Sequence, residues 1–124
     1  MLTDFLLVFL GGGTGACARF GVSRLSARFL GNAFPWGTLA VNLAGCLLIG
    51  LSAGLLERDI LPMRARPLFI VGFLGGLTTF SSYAFDTFEL LRRAEWGRAA
   101  ANIALDNVLG LVLAATGYIL VARR

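Results

Sequence analysis

The chain has 124 residues, of which 57% are hydrophobic and 15% charged, and its mean hydropathy is +0.79. A soluble domain of this length has too much surface for so few polar groups, which excludes a water-soluble globule and leaves room for one domain at most. The net charge of +4 comes entirely from arginine among the basic residues, but these arginines are scattered between apolar blocks. No continuous basic face is left to follow phosphates, so no nucleic-acid partner is expected.

The apolar residues come as long blocks rather than stripes, which predicts membrane spans of about 20 residues each. The first block starts at Phe5 and is interrupted only by Arg19, giving a span over 4–23 that carries an arginine inside it or at its mouth. Asp4 stands where a signal peptide would carry basic residues, and the stretch is glycine-rich, so a cleaved leader is not expected. Residues 29–56 are uncharged; Pro35 is a natural helix start and sets the second span at 36–56. A short charged loop with Pro62 follows, and Pro67 opens the third span, 67–91. The fourth, 99–121, holds one acid, Asp106. The expected fold is therefore an all-α integral membrane protein with four transmembrane helices in a single domain, 1–124.

Four spans put both termini on one side with the 57–66 loop. That side carries Arg58, Arg64, Arg66, Arg123 and Arg124, against Arg24, Arg28, Arg92, Arg93 and Arg98 on the other. Orientation in the bilayer follows arginine and lysine bias, and five against five leaves almost none. Insertion in both orientations, with assembly as an antiparallel dimer, is the expectation. Three small-residue pairs, Gly11 with Gly15, Gly50 with Gly54 and Gly72 with Gly76, predict close helix contacts, within one subunit or between two.

Polar residues inside the blocks are costly in hydrocarbon and mark function more often than packing. They are Arg19, Asn42, Thr78 to Tyr83, Asn102, Asp106 and Asn107. The third span reads Gly72-Phe73-Leu74-Gly75-Gly76-Leu77-Thr78-Thr79-Phe80-Ser81-Ser82-Tyr83, a run too rich in glycine, threonine and serine to make a good helix. A break near its middle is predicted, tolerated only where it is buried in protein or lines a wet cavity. Freed carbonyls there suit a cation, and half-helix N-termini suit an anion. A kinked packing helix is the plainer reading of the same residues. Gly11, Gly13 and Ala16 fit a loose dinucleotide-binding pattern, but they lie inside a span with no strand before them. Cys17 and Cys46 read as small buried hydrophobes, and with no histidine one chain cannot build a zinc site. No set of nucleophile, base and orienting group is visible, so no enzyme activity is expected.

Three stretches carry a resemblance to a family: Gly11 to Ala16 followed by Arg19; Gly37-Thr38-Leu39-Ala40-Val41-Asn42-Leu43-Ala44-Gly45; and Gly72 to Ser81. In this order and at this length the chain resembles the CrcB/Fluc fluoride channels. The resemblance implies an antiparallel, dual-topology homodimer with two pores in a prokaryotic plasma or inner membrane, letting cytoplasmic fluoride escape. It also implies a structural sodium ion (Na+) at the dimer centre, held by the main-chain carbonyls of Gly75 and Thr78, and no organic cofactor. The pore asparagine falls on Asn42, the first pore phenylalanine on Phe80 and the second on Tyr83.

Fluoride is small and strongly hydrated, so a pore must replace its water with donors. Asn42 offers an amide, Thr79 or Ser81 a hydroxyl, and the rings of Phe80 and Tyr83 a positive edge. Arg19 either concentrates anions at the mouth or reaches the headgroups. The fourth span departs from the family's hydroxyl track: it carries Asn102, Asp106 and Asn107, and an ionised Asp106 would repel fluoride. Two alternatives follow from this departure. The chain is one subunit of a heterodimeric channel with a paralogous partner and partly altered pores, or it is a small four-helix cation or drug exporter using Asp106.

Overall fold

The computed structural model describes residues 1–123; Arg124, one of the arginines counted above, lies outside them. Four helices run through the chain: α1 (Leu2–Leu30), α2 (Trp36–Glu57), α3 (Met63–Arg92) and α4 (Trp96–Ala122), and among the described residues there is no strand. Each is long and apolar enough to cross a bilayer. Pro35 caps α2, where its missing N–H costs nothing. α1 ends at Gly31, whose φ of 78° is a conformation that a side chain would strain.

The helices pair through glycine. Along the α1–α3 seam, a Cβ at Gly11 would strike the Leu68 carbonyl and one at Gly15 the Phe73 carbonyl. From the other side, Gly72 faces Gly11, and Gly76 faces the Gly12 carbonyl. The α2–α4 seam repeats the device: Gly50 lies against Ala114 and Gly117 against Leu47, backbone to backbone. The small-residue pairs thus close helices within one chain, as dispersion between touching backbones requires where lipid removes any hydrophobic drive. Val41, Leu74 and Leu77 form the buried core between α2 and α3. Arg58 donates to the Val121 carbonyl at 3.0 Å, and Tyr118 to Glu57, which brings the α2–α3 turn and the end of α4 together at one end.

Two local features set up the site. Within α3, Gly75–Leu77 is helical, Thr78 and Thr79 are extended (ψ 156° and 113°), and helix resumes over Phe80–Arg92. Within α4, Leu105–Leu109 winds as a π-helix, and this turn carries Asp106 and Asn107. Such π-type turns are rare and often occur where function needs a side chain re-aimed.

Candidate functional site

Extended residues in mid-helix leave amide and carbonyl groups without their usual partners, and each needs another. The Thr79 N–H, which a continuous helix would give to the Gly75 carbonyl, donates instead to Asn42 Oδ1 at 2.8 Å. The Ser82 N–H, the helical partner of the Thr78 carbonyl, donates to Thr79 Oγ1 at 3.2 Å, an N-cap for the second half of α3. Two amides are diverted to side chains, and the carbonyls of Gly75 and Thr78 lose their helical donors. Close approach of α2 makes this possible: Gly45 has no side chain and so admits the Thr78 methyl.

Asn42 is the hub. Its Oδ1 accepts from Thr79, and its Nδ2 donates to Asp106 Oδ1 at 2.8 Å and to the Thr79 carbonyl at 3.3 Å. The second carboxylate oxygen, Asp106 Oδ2, is buried and finds no hydrogen-bond partner among the described residues. Asn107 donates to Tyr83 Oη at 2.9 Å and to the Ile103 carbonyl at 2.8 Å. The Phe80 and Tyr83 rings stand 5.5 Å apart at 50°, with Phe80 78% exposed.

These residues line one cleft of about 430 Å³ between α2, α3 and α4. Of the sequence-predicted residues, Asn42, Gly75, Thr78, Thr79, Phe80, Tyr83, Asp106 and Asn107 meet there. Three do not. Ser81 is exposed beside the cleft, 3.2 Å from Thr79 Oγ1. Asn102 is fully buried and donates to Thr87 Oγ1 at 2.9 Å, joining α4 to the second half of α3. Arg19 lines neither this cleft nor the one described next. Asn102 and Asp106 share a helical face in sequence, but the π turn begins between them and sends them to different places.

Asp86 was not read from the sequence as part of any site. It accepts from Thr38 Oγ1 at 2.6 Å in a second cleft of about 330 Å³, formed by the end of α1, the start of α2 and the second half of α3. Its signal was spacing: Thr38 lies four residues before Asn42, and Asp86 three after Tyr83, so each pair shares a helix face. No group of three or more potential metal-ligating side chains occurs among the described residues.

Four membrane-length helices, with most of the sequence-predicted polar residues gathered in one cleft between α2, α3 and α4, define a multi-pass helical membrane protein with a polar site inside the bundle. The chain belongs to the CrcB family: the model for "CrcB-like protein, Camphor Resistance (CrcB)" matches residues 6–118. A relative from Aeromonas salmonicida (strain A449) is 42% identical over 124 residues, 99% of both chains. One from Pseudoalteromonas translucida (strain TAC 125) is 43% identical over 95% of this chain and 99% of its own. A third, from Rhizobium etli (strain CIAT 652), is 46% identical over 88% of this chain and 86% of its own. All three bear the name "Fluoride-specific ion channel FluC", that of a channel rather than an enzyme.

Proposed function

We infer that the chain is a subunit of a fluoride channel whose pores form when two copies pair antiparallel. Relatives named as fluoride channels supply the ion, and one observation carries the dimer: the polar cleft has an open side in mid-span. Gly75, Ser81 and Asn107 are exposed there in the single chain. Hydrocarbon cannot satisfy such groups, so a second protein surface must cover them. Four helices enclose no polar path alone; two chains facing each other do.

On this reading 1–124 is one channel domain, α3 is broken near the bilayer middle, and fluoride leaves the cytoplasm down its gradient. Asn42 Nδ2 and the hydroxyls of Thr79 and Ser81 are the donors, with the ring edges of Phe80 and Tyr83 alongside. Arg19 stands outside the cleft of its own chain, so its part lies at the mouth or at the headgroups. The carbonyls of Gly75 and Thr78 fit a sodium ion: their helical amides are engaged elsewhere, and carbonyl oxygens are the ligands a hard cation prefers. Bound there, sodium would tie the two copies together at the break.

Asp106 keeps one variant of this reading open: a carboxylate on the cleft wall suits a heterodimer in which a paralogous chain supplies an uncharged wall. The test is ion efflux from liposomes holding the purified chain alone, read with a fluoride electrode and with chloride as control. Fast fluoride loss without chloride loss is expected. No fluoride loss from folded homodimers overturns the homodimeric channel.

A further inference from the structure

A donor needed by a passing anion is already taken. Asn42 has two amide hydrogens; one goes to Asp106 Oδ1 at 2.8 Å and the other makes the longer 3.3 Å contact with the Thr79 carbonyl. A hydrogen bond to an ionised carboxylate is roughly twice as strong as one to a neutral acceptor. While Asp106 is ionised, the amide is held and a negative charge stands on the cleft wall. Both effects oppose an anion.

We propose that Asp106 is a proton-binding site that gates anion passage by holding or releasing the Asn42 amide. This rests on the fluoride-channel reading and adds its regulation. Asp106 Oδ2 is buried without a partner among the described residues, an acceptor that one proton would convert to a donor. The proton comes from water reaching the cleft and binds Oδ2. The wall then loses its charge, Oδ1 becomes a weaker acceptor, and the Asn42 amide turns to the ion, with the new O–H as a second donor. Loss of the proton to water restores the blocked state.

The neighbours favour this role. The titratable groups lining the cleft with Asp106 are the Cys46 thiol from α2 and the Tyr83 phenol from α3; the Asp86 carboxylate of α3 lines the second cleft. α4 itself adds the neutral Asn107, and α1 contributes no lining residue. No arginine lines the cleft, so no fixed cation stands beside the carboxylate to balance its charge. A proton is the counter-charge left to it.

The test is the initial rate of fluoride efflux from liposomes between mildly acidic and mildly alkaline pH, after subtraction of the leak from protein-free vesicles. The wild type is compared with Asp106→Asn and, as a second neutral variant in case the first folds poorly, Asp106→Ser. The wild-type rate is expected to fall by about tenfold per pH unit once the proton is lost, as one obligatory proton requires. The neutral variants are expected to conduct with no such slope and to exceed the wild type at alkaline pH. A pH-independent wild-type flux overturns the gate and leaves the channel standing. A neutral variant that keeps the wild-type slope also overturns it. No flux from folded wild type or variants at any pH overturns the channel reading and the gate together.

Discussion

Along the α1–α3 seam, Gly11, Gly15, Gly72 and Gly76 bring two backbones into contact; just past Gly76, at Thr78 and Thr79, the same α3 backbone leaves helical geometry, and the amides of Thr79 and Ser82 go to side chains. The seam is stable because it asks nothing of polar chemistry. The break is stable only because Asn42 and the Thr79 hydroxyl replace what the helix gave up. One region is held by shape, the other by a few hydrogen bonds in surroundings where an unmade bond is expensive. Adjacent residues of α3 therefore respond to mutation in different ways.

Gly75 and Gly76 give the sharpest contrast. A Cβ at Gly76 would strike the Gly12 carbonyl and crowd the Ala16 amide at 3.1 Å, and neither is a flexible side-chain end. A Cβ at Gly75 meets nothing within 4 Å. Gly76→Ala is expected to cost about 1–3 kcal/mol or more, the usual range for overpacking, because backbone cannot move aside. It should lower the thermal midpoint in detergent or abolish folded protein. Gly75→Ala is expected to leave the fold of the single chain intact. Equal stability of the two variants would mean that the α1–α3 seam is not packed as described.

Next in size is Asn42. Asn42→Ala strips the Thr79 N–H of its acceptor and Asp106 of its donor, and each buried orphan costs about 1–3 kcal/mol. The variant is expected to unfold more readily than the wild type and to lose fluoride efflux even where dimers survive. Folded Asn42→Ala dimers with wild-type efflux would remove Asn42 from the conducting path and leave it as a brace for the break.

The helices and the family were readable in the sequence, because apolar blocks of span length and three glycine- and threonine-rich stretches survive without tertiary context. Much of the cleft was readable for a simple reason: a polar residue inside an apolar block has few places to go. What escaped was direction. Asn102 and Asp106 look equivalent on a regular helix, but the π turn at Leu105–Leu109 separates them, leaving Asn102 with Thr87 and Asp106 with Asn42. Nothing in local composition marks that turn. Asp86 closed an apolar block, and its bond to Thr38 depends on how α2 and α3 pack. Ser81 was grouped with the pore donors by chemistry alone, and the single chain sets it beside the cleft; Arg19, read as a residue of the mouth or the headgroups, lines neither cleft.

The smallest effect is expected at Tyr83, where the family's second pore phenylalanine would stand. Its hydroxyl accepts from Asn107 Nδ2 at 2.9 Å, but that amide also donates to the Ile103 carbonyl at 2.8 Å, so Asn107 is not orphaned when the hydroxyl goes. Tyr83→Phe therefore removes one hydrogen bond and strands no buried donor, a change of about 0.5–1.5 kcal/mol at most. The ring, its tilt against Phe80 and its positive edge all remain. Fluoride efflux of the same order as wild type is expected, with a thermal midpoint close to it. Such a result would mean that the ring serves the path and the hydroxyl only fastens α3 to α4. A large loss of efflux without loss of stability would instead make the Tyr83 hydroxyl a donor to the ion, and the cleft would then differ from an all-phenylalanine pore in chemistry as well as in outline.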